Sequence, residues 1–285
     1  MNNLNSPVRY YGGKGNGLRW QIYNYFPNKS QYNMYIEPFG GGANLLFAKE
    51  AFGIEIYNDL EHNVYSLFKV ISDKKLFPQF KEKCDLALYS ADLREEYIED
   101  LKKADIDIVE RAYKYFYVNR TSMNGNGGFG IAPCIRRNMS KSVSDFLSAI
   151  DTLPELHNRL SKVIIENTDG IGLIEKYDKD DVFIYADPPY HHDTRTTARY
   201  KVDMNDESQD RLLKVLLNTK KSKILLSGYD CNVYNKLVKK GWKQVDIVVK
   251  TTDTHHKPKE KIETLWMNYD KEDKKANQGR TIFDE

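Results

Sequence analysis

The sequence predicts a doubly wound α/β core interrupted by a mostly helical insert. Three observations point there. Strand and helix patterns alternate up to about Ile71. They give way, over roughly Ser72 to Val163, to long helical periodicities followed by a Gly/Asn/Ser-rich loop. Alternation then resumes from Val163 onward. Such alternation builds a mostly parallel sheet covered by helices. A chain of 285 residues suits one core of this kind with a smaller inserted unit.

Taken in order, Met34 to Glu37 reads as a short strand, Ala43 to Ala51 as a helix, Ile54 to Asn58 as a strand and Glu61 to Ile71 as a helix. The middle block carries helical patterns at Leu76 to Leu88 and Tyr97 to Val118, then a loop from Asn119 to Ser144. Beyond it come a strand at Val163 to Glu166, a helix at Ile171 to Tyr177 and a strand at Val182 to Ala186. A helix follows at Glu207 to Asn218, then strands at Lys223 to Ser227, Lys243 to Lys250 and Ile262 to Asn268, the last of these antiparallel. The expected division is a core of residues 1–71 and 164–270, an insert of residues 72–163 and a polar tail of residues 271–285.

Composition narrows the class. The chain is 40% hydrophobic, with 20 tyrosines and 12 phenylalanines, its mean hydropathy is -0.66, and no apolar run approaches a membrane span. Residues 1–7 lack the basic start and apolar stretch of a secretory signal, so a cytoplasmic protein is expected. Cys84, Cys134 and Cys231 are widely separated, which argues against a disulfide framework and a zinc site. The net charge of +2 is unevenly spread: Arg111 to Ser144 holds Arg111, Lys114, Arg120, Arg136, Arg137 and Lys141, with no Asp or Glu. That stretch is a candidate phosphate-facing surface, or else a basic face balancing the acidic segment Glu95 to Asp107.

Two segments carry chemistry. In Tyr35-Ile36-Glu37-Pro38-Phe39-Gly40-Gly41-Gly42-Ala43 a strand runs through three glycines into a helix. Glycines there let a ligand approach the backbone at the carboxyl edge of the sheet. Asp59, at the end of the next strand, is placed to accept hydrogen bonds from ribose hydroxyls. This indicates a nucleoside-containing cofactor, and the GxGxxG spacing of a dinucleotide site is not met.

The second segment is Val182 to Ala186, a buried-strand pattern ending in Asp187-Pro188-Pro189-Tyr190. Chance would place that tetrapeptide in roughly one chain in 500 of this length. An exocyclic base amine is a poor nucleophile because its lone pair is delocalised into the ring. The Asp187 carboxylate and the Pro188 carbonyl can accept its two N–H bonds and aim the lone pair at a methyl donor. The prolines fix φ and remove competing amide donors. Tyr190 can stack on a base rotated out of the duplex. Transfer in line from a sulfonium then depends mainly on placement and needs no metal. Amino-terminal to both segments lies Arg9-Tyr10-Tyr11-Gly12-Gly13-Lys14, an aromatic-Gly-Gly-Lys run.

In this order the motifs resemble those of the Dam-type, D12 class, DNA adenine methyltransferases. That family runs from an aromatic-Gly-Gly-Lys motif through a glycine-rich cofactor loop and an inserted recognition domain to Asp-Pro-Pro-Tyr. The resemblance covers nearly the whole chain to about Tyr269. It implies a Rossmann-like S-adenosylmethionine-dependent core, a mostly helical DNA-recognition insert, and methylation of adenine N6 in duplex DNA with base flipping. It further implies that Tyr10, Lys14, Glu37, Phe39, Gly41, Asp59, Asp169 and Asp187 surround the cofactor, and that Asp187 to Tyr190 hold the target amine. Arg9, Asn119, Arg120, Asn124, Arg136 and Arg137 are the expected DNA contacts. The expected setting is a monomer or weak dimer in a bacterial or phage-infected cell, in a restriction-modification context.

Departures from the family pattern are local. Ala43 stands where the loop's last glycine is usual, Gly170 where an aromatic usually follows Asp169, and Asn126-Gly127-Gly128-Phe129 where GATC readers carry an arginine, so GATC specificity is not carried over. Alternatives within amine chemistry are N4-cytosine or another amino-group nucleic-acid methyltransferase; outside it stands a catalytically inactive DNA-binding relative. A cytosine C5 enzyme needs a thiol nucleophile; Pro133-Cys134 exists, but no strand precedes it. His191-His192 and His255-His256 read as loop residues, and Tyr113, Tyr115, Phe116 and Tyr117 as core.

Overall fold

The computed structural model describes residues 4–10, 14, 16–189, 204–252 and 258–270. Tyr190, Tyr11 to Gly13 and the two His-His pairs lie outside the described residues. The chain runs α1 (Asn16–Tyr23), β1 (Met34–Glu37), α2 (Asn44–Ala48), β2 (Ile54–Asn58) and α3 (His62–Ser72). The middle block follows as α4 (Phe77–Asp85), α5 (Ala91–Asp100), α6 (Ile108–Thr121), β3 (Ile135–Arg136), β4 (Met139–Ser140), α7 (Lys141–Asp151) and α8 (Leu153–Leu160). The chain closes with β5 (Ile164–Glu166), α9 (Gly170–Lys176), β6 (Val182–Ala186), α10 (Asp206–Asn218), β7 (Lys223–Gly228), α11 (Asn235–Lys239), β8 (Lys243–Thr252) and β9 (Pro258–Met267).

Seven strands form one sheet in the order β5-β2-β1-β6-β7-β9-β8. Neighbours from β5 to β7 are parallel, and β9 is antiparallel to both β7 and β8. The α/β class is therefore as the alternation implied, with the antiparallel strands at the end. From β1 the chain winds first toward β2 and β5, then returns to lay β6 and β7 on β1's other side. The crevice at the carboxyl ends of β1 and β6 is thus the switch point where ligands of open α/β sheets sit.

Both faces are covered. One carries α9, α10 and α11 over Ile36, Ile184, Ile224 and Leu226. The other carries Tyr35, Phe183 and Leu225 in a cluster that also takes in Phe116, Phe146 and Leu156 from the middle block. That block accordingly shares its core with the sheet. A buried charge triad reinforces the junction: Arg159 of α8 donates to both oxygens of Glu55 on β2, at 2.5 and 2.9 Å, and to the Leu46 carbonyl at 3.0 Å. Lys49 bonds the same carboxylate.

Local chemistry sets the helix boundaries, and in places revises those read from periodicity. The single helix expected over Tyr97 to Val118 is two, because Asp107 caps α6 by accepting the amides of Val109 and Glu110. Pro78 and Pro154 open α4 and α8 in the first turn, where a missing N–H costs nothing. The expected loop of Asn119 to Ser144 contains a hairpin, β3-β4, whose tip residues Arg137 and Asn138 both take positive φ (55° and 58°). This matches the twist of a two-residue hairpin turn. Ser140 then caps α7 through the Ser142 amide.

Candidate active site

A cavity partly open to solvent lies at the switch point; Tyr10, Lys14, Glu37, Phe39, Gly41, Asp59, Asp169 and Asp187 all line it. These eight residues are spread along the chain from position 10 to position 187. The sheet brings them together because β1, β2, β5 and β6 all end at this edge.

The glycine loop is held from below. Gly40 donates to the Asn58 carbonyl at 2.8 Å, Gly41 donates to Asp59 Oδ2 at 2.7 Å, and the Tyr57 hydroxyl donates to the Gly41 carbonyl at 2.7 Å. A Cβ on Gly40 would lie 2.1 Å from the Tyr57 ring, and one on Gly41 (φ 47°) 2.9 Å from the ring of Tyr10. Overpacking of this kind typically costs about 1–3 kcal/mol. Gly40→Ala is therefore expected to lower stability by about 2 kcal/mol. Thermal melting checks this, and an unchanged melting curve would refute the tight packing. Ala43 adopts φ 52°, the left-handed conformation that a glycine takes without strain.

Asn58, fully buried, carries no motif signal in the sequence. Its amide donates to the carbonyls of Pro38 and Thr168 and its oxygen accepts the Thr168 amide, tying the ends of β1, β2 and β5 together. The departure at Gly170 has a local cause: a Cβ there would lie 2.5 Å from the Pro38 carbonyl and 2.7 Å from the Phe39 ring. Phe39 fills the space that a side chain at 170 would need.

The carboxylates differ in environment. Burial pushes Glu37 up to about 7, against the Tyr35 hydroxyl that donates to it at 2.6 Å. Burial likewise raises Asp59 to about 6, opposed by the amides of Glu61 and Gly41. Asp169 is half exposed, caps α9 through the Ile171 and Gly172 amides, and pairs with Arg211 at 2.6 Å. Its partial burial is outweighed by Arg211 and those amides, and its pKa is lowered.

At the end of β6, Asp187 Oδ1 lies 3.0 Å from the Lys14 ammonium, which also donates to Glu263 at 2.7 Å. Burial disfavours that ammonium, but Asp187 and Glu263 outweigh it and hold the lysine charged well above its usual range. Behind the motif, Gln209 of α10 donates to the Pro189 carbonyl at 2.8 Å and accepts from Tyr234. Tyr185, buried at the end of β6, also lines the cavity. Glu263, Gln209 and Tyr185 are site residues that motif reading missed; each is a polar group at an inward-facing position, the one sequence signal available.

The expected DNA contacts separate into two groups. Asn119 is buried: its oxygen accepts the Arg9 amide at 2.8 Å, and its nitrogen donates to the carbonyls of Arg9 and Gly125 at 3.0 and 3.2 Å. Its side chain is thus engaged by the backbone. Arg120 is half-buried, and burial brings it down to about 10. Exposed are Asn124, in a turn with φ 54°, and Arg136 and Arg137 on the hairpin. The acid-free stretch is partly internal as well. Arg111 is buried against Asn63 and the carbonyls of Lys103 and Ala104. Lys114 pairs with Asp100 of the acidic segment. Asp145, one residue past the stretch, gathers Arg9, Arg136 and Lys141. The basic face that remains is the hairpin and its flanks.

A doubly wound sheet with a glycine cradle and an Asp-Pro-Pro turn in one cavity at its switch point defines a class, the enzymes that alkylate an amine beside a nucleoside cofactor. The sequence profile of the D12 class N6 adenine-specific DNA methyltransferases matches residues 10–255, and the chain belongs to that family. It is a DNA methyltransferase specific for adenine N6. It is 28% identical over 292 residues to the type II methyltransferase M.MjaIII of Methanocaldococcus jannaschii, covering 92% of this chain and 98% of that protein. It is 25% identical over 228 residues to the type II methyltransferase M.CviBI of Paramecium bursaria Chlorella virus NC1A, covering 78% and 82%. Among the described residues no helix is long and apolar enough to cross a membrane.

Proposed function

We propose that the cavity binds S-adenosylmethionine and that Asp187 and Pro188 hold the N6 amine of an adenine flipped out of duplex DNA. The observation that carries this reading is that the Asp-Pro-Pro turn and the glycine cradle open into the same cavity. The residues suit such a cofactor. The cradle at Gly40 and Gly41 admits no side chain, and acidic groups (Glu37, Asp59, Asp187) alternate with the apolar Phe39, Leu45 and Ile171. Asp59 would take the ribose hydroxyls, and Phe39 and Ile171 the flat base.

The bound group supplies a methyl on a sulfonium. Asp187 accepts one N–H of the target amine and the Pro188 carbonyl the other, which draws the nitrogen toward tetrahedral geometry. Lys14 holds Oδ1 of Asp187 and so fixes the carboxylate's orientation toward the amine. Gln209 fixes the following carbonyl, so the turn does not shift as the base enters. After transfer the nitrogen sheds a proton, and the Asp187 carboxylate bonded to it is the base in place to take it. Tyr190 is assigned stacking on the extruded base by the motif alone.

We assign the exposed Asn124, Arg136 and Arg137 to DNA contact, residues 72–163 to target recognition, and Arg9 and Asn119 to joining that unit to the core. The type II designation of both relatives supports a restriction-modification context for this chain. Incubation with methyl-labelled S-adenosylmethionine and mixed-sequence duplex DNA, followed by digestion to nucleosides, is expected to give label as N6-methyladenine at one sequence context. Label on cytosine, or none from a folded protein, would overturn the reading.

A further inference from the structure

Polar side chains interrupt the apolar face of the sheet at neighbouring positions on β6, β7 and β9. Tyr185 and Asp187 follow Phe183 at two-residue spacing on and beyond β6, Ser227 follows Leu225 on β7, and Glu263 shares its side of β9 with Leu265 and Met267. Ser227 pairs with Leu265, one alternation from Glu263, so the register sets these groups side by side. Glu263 is 4% exposed. It accepts from Lys14 at 2.7 Å and bonds the Ser227 hydroxyl, while the same ammonium reaches Asp187 at 3.0 Å.

An ionised carboxylate this deeply buried is costly unless it serves its partners. A partner for Lys14 already exists in Asp187, so the pairing of Lys14 does not by itself require Glu263. What Glu263 adds is a second negative charge and a pull on the ammonium along β9. On the reading that the cavity takes S-adenosylmethionine, both effects bear on a ligand that enters as a sulfonium cation and leaves as a neutral thioether.

We infer that Glu263 is a positioning residue that sets the charge of this site: it draws Lys14 toward β9, preserves the accepting power of Asp187, and favours the cationic methyl donor over the neutral product. The enzyme would thereby exchange spent cofactor for fresh donor without a conformational step devoted to telling them apart. The inference rests on the proposed cofactor, and its test separates the two.

Binding of S-adenosylmethionine and S-adenosylhomocysteine to the full chain, without DNA, is measured by calorimetry for the wild type and for Glu263→Gln. Glutamine keeps the shape and an oxygen for Lys14 and Ser227. The donor is expected to bind about tenfold more weakly, the scale of a unit charge removed from the neighbourhood of a partly desolvated site. The thioether is expected to shift less than about twofold, a selectivity that a merely structural role would not produce. Glu263→Asp should restore most of the preference. Lys14→Met, which removes the opposite charge from the same cluster, should move the donor-to-product ratio the other way and keeps the test open if the glutamine variant does not fold. Equal shifts for both ligands, or no shift in either, overturn the inference. Failure of the wild type to bind either ligand overturns instead the cofactor assignment beneath it.

Discussion

Asp187→Ala is expected to leave a folded protein that still binds DNA while methyl transfer falls by about 10³-fold or more, equivalent to about 4 kcal/mol of lost transition-state stabilisation. The size follows from the two roles proposed for one carboxylate, which would both orient the amine and receive its proton. Losing a preorganised group of that kind typically costs about 10²–10³-fold before any proton transfer is counted. The fold should survive because the Lys14 ammonium, buried beside Asp187, retains Glu263 at 2.7 Å. Single-turnover transfer measured alongside thermal melting separates chemistry from stability. A variant that retained a rate within about tenfold of the wild type would remove Asp187 from the assigned role.

The largest effect on stability is expected from Glu55→Ala. Glu55 is 2% exposed and is the shared anion of Lys49 and Arg159, which are 1% and 5% exposed. Its removal leaves two buried cations facing each other, and burial already lowers the Lys49 pKa. Breaking a buried pair by removing one partner typically costs about 3–5 kcal/mol. Because Arg159 lies on α8 and Glu55 on β2, the loss also loosens the middle block from the sheet. Denaturant titration should show the midpoint falling accordingly. The triple replacement Lys49→Met, Glu55→Leu, Arg159→Met should recover most of the stability, since apolar residues of similar volume often substitute for a buried ionic cluster with little loss. If the single replacement costs less than about 1 kcal/mol, the triad is not holding the junction.

Much of the site was legible in the sequence because its chemistry is contiguous. Asp187-Pro188-Pro189 and Gly40-Gly41-Gly42 each place their functional groups within a few residues at a strand end, and those strand ends follow from the short apolar runs that precede them. Glu263 was not legible: it belongs to the site only through the register of β9 on β7, which brings it close to a motif far back along the chain. Its one local trace is an acidic residue in step with Leu265 and Met267. The split between α5 and α6 was hidden because helical periodicity continues through residues 101–107, and only the capping geometry of Asp107 reveals the break. The hairpin tip was hidden for a related reason, since Arg137-Asn138 takes a backbone conformation more often signalled by glycine. Charge alone did not decide between two readings. The acid-free stretch with six basic residues left two readings open, a phosphate-facing surface or a face balancing Glu95 to Asp107; Lys114 pairs with Asp100 of that acidic segment, and Arg111, three residues away on the same helical face, turns inward with it.

The grip of Asn119 bears on how recognition can be exchanged among relatives. Both backbone hydrogen-bonding groups of Arg9 end on this one side chain, and the Gly125 turn presses so close that a Cβ there would lie 2.0 Å from the Arg9 carbonyl. Residue 10, next along, packs its ring over the glycine cradle. On the proposal that residues 72–163 recognise the target, a transplanted unit that brought a different residue at 119, or a bulkier one at 125, would release the segment beside the cavity. Reprogramming the target sequence would then mean moving the amino-terminal segment and the helical unit as one cassette.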